Sequence, residues 1–152
     1  MKRSFIFVSI LVLLFSIQVS AQTEPEKLSF EQILEADAQH NLGVAWQYFK
    51  MRKAYLAVLM RTEETIAAHP GFSKMDEILY LSGMSSYYLS IGKGKQKIDL
   101  EKLKEEDRDR FTPERLKEDA FAYLSKLTEE FPESKYTNKA SKTLKVLAPS
   151  ER

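Results

Sequence analysis

Two stretches of the chain, TIAAHPGFSKMDEILYL (65–81) and LTEEFPESKYTNKASKTL (127–144), share one local pattern. Each reads as a helix end, a bulky residue, a proline, a Ser-Lys pair and a fresh helix. Pro70 and Pro132 stand 62 residues apart. Proline has no N–H and disfavours helical geometry in the residue before it, so each one stops a helix. The Ser-Lys pairs line up if the first copy carries one extra residue between Pro and Ser. Self-similarity of this kind marks hairpins of helices stacked side by side, each burying the face its neighbour cannot bury alone.

The rest of the chain fits that plan. Its 152 residues hold only five glycines and five prolines, and its apolar spacing is helical throughout. Ser29 begins SFEQ, a capping-box pattern, so a first helix is expected from about 30 to 50. A basic joint, KMRK (50–53), leads to a second helix over about 54–68. Ser73 is expected to cap a third helix that runs to about 91, with Asp76 and Glu77 facing the positive end of its dipole. GKGKQK (92–97) reads as a flexible loop. IDLEKLKEEDRDRF (98–111) is charged enough to be either a solvated short helix or a flexible insertion. Thr112 and Pro113 are strong start signals for a fourth helix. Its apolar face is Leu116, Ala120, Tyr123, Leu124 and Leu127. Ser134 is expected to open a fifth helix, marked by Tyr136, Ala140, Leu144 and Leu147. Closely approaching helices need small residues at their crossings, a role that fits Gly43, Ala45, Ala57 and Gly83. The expected fold class is all-α: about five helices in stacked antiparallel hairpins.

The ends place the protein. Residues 1–21 combine a basic start (MKR), an apolar run and a small-x-small site (VSA), the signature of a signal peptide cleaved after Ala21. QTEPEKL (22–28) is expected to be a disordered lead-in, with the repeat domain over 29–148 and a charged insertion at 93–111. Cleavage leaves 21 basic against 22 acidic residues, a balance that suggests neither nucleic acid nor an anionic membrane as partner. The sequence has no cysteine. That rules out disulfides and a thiol nucleophile, and it leaves no cysteine to carry a lipid anchor. The expected location is the periplasm of a bacterial cell envelope.

NLG (41–43) and SG (82–83) match the Leu-Gly slot of the first helix in a tetratricopeptide repeat, and Pro70 and Pro132 match that repeat's terminal proline. The chain therefore resembles the tetratricopeptide family. The Gly43-to-Pro70 spacing of 27 residues is longer than the family consensus. It is similar to the divergent repeats of the BamD-like outer-membrane assembly lipoproteins, over 44–81 and 120–147. The resemblance implies a short TPR-like solenoid and a non-enzymatic scaffold for protein or peptide partners, in outer-membrane protein assembly. The alternatives are a stand-alone envelope adaptor with a different partner and a small helical ligand-binding protein or hydrolase. Carried over from Gly83, the resemblance puts Tyr80, Met84 and Tyr87 on a partner groove; from Gly43 it puts His40, Val44 and Gln47 there. A short array also leaves its terminal faces without neighbours, so self-association or capping by a partner is expected.

Little in the sequence points to catalysis, and no enzyme, cofactor or metal is expected. His40 and His69 lie on different helices, and His69 takes the place of Phe131 in the other joint. A bulky wedge before the proline is thus favoured over a catalytic base. GKGK (92–95) lacks the strand and the Gly-Lys-Ser/Thr ending of a phosphate loop. The acidic pairs Glu63–Glu64, Glu105–Glu106 and Glu129–Glu130 are adjacent in sequence and so do not share a helix face.

Overall fold

Ser29 starts the first helix by a full capping box: its hydroxyl accepts from the Gln32 N–H at 3.2 Å, and the Gln32 side chain accepts from the Ser29 N–H at 2.7 Å. Helix α1 spans Phe30–Gln47 and continues as a π-helical turn over Tyr48–Arg52. The turn closes at Lys53, in the left-handed region at φ 50°. Helices α2 (Tyr55–Ala68), α3 (Met75–Ser90), α4 (Pro113–Glu130) and α5 (Thr137–Leu147) follow. The computed structural model describes residues 29–148 apart from 97 and 103. The expected leader, its cleavage site and the 22–28 lead-in lie outside the described residues. Within them the chain is all-α, in stacked antiparallel hairpins α1/α2 and α3/α4 with α5 laid on the second. None of the described helices is long and apolar enough to cross a membrane.

Helix α3 is the centre of the stack. Twelve of its 16 residues are buried, so it has no solvent face of ordinary width. A helix enclosed in this way cannot carry large side chains all round. Its inner run is therefore Ser82, Gly83, Ser85 and Ser86, with Ile78, Leu79 and Leu81 filling the remaining space. Ser82 Oγ lies 2.8 Å from Thr62 Oγ1 of α2, joining the hairpins through a buried polar contact. Gly83 meets α4 so closely that a Cβ there would sit 2.6 Å from Leu124 Cγ. Gly43 does not play this part: nothing lies within 4 Å of its Cβ position. Ala45, another of the small residues expected at a crossing, is fully buried in α1.

The two proline joints are the same backbone turn. His69 sits at φ −134°, ψ 61° and Phe131 at φ −129°, ψ 60°. Each N–H bonds back four residues, to Thr65 and Leu127, at 2.9 Å. Each carbonyl then accepts from the residue three further on, Phe72 and Ser134. The offset stays at 62 through the turn, so the extra residue expected in the first copy does not exist. Phe72 stands where Ser134 stands, and the two Ser-Lys pairs are out of step by one. Hydrogen bonding fixes the number of residues in the turn, whereas side-chain identity at an exposed position does not.

Two expected caps change role as a result. Ser73 does not cap α3. Its N–H and hydroxyl both donate to the Glu35 carboxylate of α1, and α3 starts without a side-chain cap. Ser134 does not cap α5, which begins at Thr137. Its hydroxyl donates to Asp76 at 2.6 Å and accepts from the Tyr136 N–H at 3.2 Å. Thr112 and Pro113 start α4 as expected, with the Thr112 hydroxyl accepting from the Arg115 N–H.

The segment between α3 and α4 is neither a simple helix nor a free insertion. It makes short helical turns at Leu100–Lys102, Glu105–Arg108 and Asp109–Phe111. Gly94, at φ +112°, lets its backbone pass close to Lys53 and Tyr55, and the Lys95 N–H donates to the Lys53 carbonyl at 3.1 Å. GKGK is therefore docked on the α1–α2 turn. Phe111 is buried among Tyr55, Leu59, Leu89 and Leu116, with Ile98 and Leu100 packed alongside. Arg110 pairs with Glu63 of α2, which also accepts from Tyr123 of α4 at 3.3 Å. Burial, and then the Glu63 charge, push the Tyr123 hydroxyl well above its ordinary range. An apolar anchor under a charged exterior explains both the composition and the order. Phe111→Ala should release this segment locally, giving about tenfold faster tryptic cleavage after Lys104 or Arg108 with helix content unchanged. Cleavage at the parental rate would show that Phe111 is not the anchor.

Candidate partner-docking surface

Antiparallel hairpins place α1, α3 and α5 in one layer and α2 and α4 in the other. Helices of the odd layer are next-but-one in sequence, so their spacing is wide and aromatic rings fill it. Tyr80 of α3 stacks on Tyr136 at 4.4 Å between centroids and 20° between planes. Trp46 of α1 lies 6.2 Å from Tyr80 and 5.8 Å from Tyr136. Phe49 extends the run to Tyr55, at 5.3 Å, and to Tyr88, at 5.9 Å.

One carboxylate ties this layer together. Glu77, in the first turn of α3, accepts from the Trp46 indole N–H at 2.7 Å, the Tyr136 hydroxyl at 3.0 Å and Lys135 at 3.2 Å. Its side chain is only 16% exposed. Burial on its own would raise the Glu77 pKa. The bonds from Trp46, Tyr136 and Lys135 outweigh it and hold the carboxyl below its ordinary value. Burial, then neighbouring Tyr88 and Tyr136, push the Tyr80 hydroxyl up to about 12.

The structure divides the six groove residues expected from the resemblance. Tyr80 and Met84 are core residues, 6% and 7% exposed. Helix α5 and the residue that leads into it cover them: Tyr136 lies on Tyr80, and Thr143 of α5 donates to the Met84 sulfur at 3.5 Å. They are not available to a partner as the chain stands. Tyr87 is half-buried, 5.7 Å from Tyr88. His40 and Gln47 are exposed and Val44 is half-buried, all on the open side of α1. Their register came from Gly43, which the helix crossing does not use.

Sequence reasoning missed the residues that make the open part of this layer. Trp46 and Tyr48 are half-buried, with Lys50 4.3 Å above the Trp46 ring and Arg52 5.2 Å above Tyr48. Met51 beside them is 76% exposed. Cations over aromatic faces, next to a free methionine, form an amphipathic ledge. The basic residues four positions after aromatic ones in WQYFKMRK, Lys50 after Trp46 and Arg52 after Tyr48, were the available signal. The 31-residue and 59-residue separations that converge on Glu77 leave no local trace.

His69 is a buried wedge at the end of α2, and its Nε2 lies 2.8 Å from Asp37 of α1. Asp37 is more than half exposed, so water can replace the ring as its partner. His69→Phe should therefore keep the fold, with stability changed by about 1 kcal/mol or less. A larger loss in urea unfolding would make the His69–Asp37 contact structural. Among the described residues, no group of three or more His, Asp or Glu side chains is placed to hold a metal ion.

A family described as YfiO, outer membrane lipoprotein, matches residues 35–149. The match covers all five helices but for the first turns of α1. No curated protein and no solved structure shows significant similarity to the chain.

Proposed function

Since the chain belongs to the YfiO family of outer membrane lipoproteins, we propose that it is a non-enzymatic scaffold of the periplasm that docks protein or peptide segments in outer-membrane protein assembly. The observation that carries this reading is the ledge of Trp46, Tyr48, Lys50, Met51 and Arg52. It offers large apolar area with polar tips on a layer braced from behind by Glu77, the kind of surface that anchors a peptide. Tyr87, His40, Val44 and Gln47 are the remaining groove residues on the same layer. The chain needs no cofactor for this role, and nucleic acid is not a partner.

A photo-reactive residue at Gln47 tests the proposal in intact cells. It should capture components of the β-barrel assembly machinery, whereas the same probe at Lys126, on the other layer, should not. Equal capture at both positions would overturn the docking face. One observation favours a second reading: the sequence has no cysteine, the residue that carries the lipid in a lipoprotein family. A chain that works off the membrane as an adaptor for another envelope complex would give capture at Gln47 of different proteins. Fractionation after export should place the chain in the soluble periplasmic fraction, processed after Ala21.

A further inference from the structure

The two terminal helices carry opposite charge. Helix α1 holds Glu31, Glu35 and Asp37 and no lysine or arginine; α5 holds Lys139, Lys142 and Lys145 and no acid. The three lysines are exposed at i, i+3 and i+6, and no ion pair engages them among the described residues. Apolar residues accompany each set. Phe30 and Ile33 are 73% and 51% exposed on α1, and Val146 is 67% exposed on α5. Beside the start of α1 opens a cleft of about 1050 Å³, walled by Glu31, Leu34, Glu35, Ala68 and Phe72.

These faces lie at opposite ends of the stack, where a solenoid runs out of neighbours. We propose that they are made for each other: the lysine stripe of α5 on one copy docks on the acidic start of α1, and into its cleft, on a second copy. The occupant follows from complementarity, because each face supplies the charge that the other lacks, with exposed apolar side chains beside it on both. Such a contact is heterologous. It leaves one free face at each end, so it extends into a ring or a chain of copies rather than stopping at a symmetric dimer.

The contact is read on the exported chain alone, so its failure is separate from failure of the docking proposal. Sedimentation velocity should show association that grows with protein concentration and weakens as salt rises well beyond about 0.1 M, where surface charges are screened within roughly 10 Å. K139E/K142E/K145E and E31K/E35K should each weaken association about tenfold or more. Mixing the two variants should restore it, because the reversed α5 of one now faces the reversed α1 of the other while their unaltered ends still match. Misfolded chains could not recover on mixing, so the rescue separates lost charge from lost fold. A chain that stays monomeric at high concentration and low salt would overturn the proposal. So would association that the variants leave unchanged, or variants that fail to recover together.

Discussion

Gly83→Val is expected to lower stability by about 3 kcal/mol, the upper part of the range for forcing volume into a packed core. The cause is local. A Cβ at position 83 would lie 2.6 Å from Leu124 Cγ, 2.7 Å from its Cδ2 and 3.3 Å from the Ala120 carbonyl oxygen. Leu124 is itself fully buried, so it has no room to turn away. The α3–α4 crossing would have to open, and that crossing is the most extensive helix contact among the described residues. Gly83→Ala should fall between, since overpacking of about 1–3 kcal/mol is offset in part by the helix preference of alanine, roughly 1 kcal/mol. Gly43→Ala should stabilise by up to about 1 kcal/mol, because it gains that preference and meets nothing. Urea midpoints of the three variants decide the matter. Equal midpoints for Gly83→Val and the parent would remove Gly83 from the crossing.

Glu77→Ala is the second large effect, with a loss of roughly 2–4 kcal/mol. It would strip the acceptor from the Trp46 N–H and the Tyr136 O–H, and each donor left unpaired costs about 1–3 kcal/mol. Lys135 is exposed and would return to water. Because the donors come from α1 and from the turn that leads into α5, the loss should loosen both outer helices from α3 together. Fluorescence of Trp46, the chain's single tryptophan, would report it directly.

Glu77 also sets an acid dependence. Its carboxyl is held below the ordinary 4.5 in the folded state, so folding favours the ionised form. Its contribution is complete above about pH 4.5 and is lost as pH falls through the depressed folded value. Glu77→Gln keeps an acceptor but cannot titrate. The variant should therefore lose less stability than the parent between pH 5 and the acid limb, as measured by chemical unfolding at each pH. Parallel acid limbs would show that Glu77 is not the titrating group.

The helices were readable because their signals are local. SFEQ and TPE announce starts within four residues, and HPG and FPE announce stops. The 3.6-residue apolar spacing between them shows which face turns inward. The equivalence of His69 and Phe131 was also readable, since both must fill one slot before a proline. What could not be read was register across helices. NLG and SG look alike in sequence, yet only Gly83 faces a neighbour. Tyr80 and Met84 sit at groove spacing, but α5 returns over them from more than fifty residues away. Ser73 and Ser134 have the chemistry of caps, and both spend their hydroxyls on carboxylates of other helices instead.

The sequence by itself determined the class of fold, the five helices and the two proline turns, because each depends on residues within about one turn of helix. The tertiary structure alone decided which small residue marks a crossing, which aromatics remain open, and that Trp46, Lys135 and Tyr136 meet on Glu77. Those outcomes depend on how far one helix slides along the next. That slide is fixed by the sum of many buried contacts, and no single stretch of sequence records the sum.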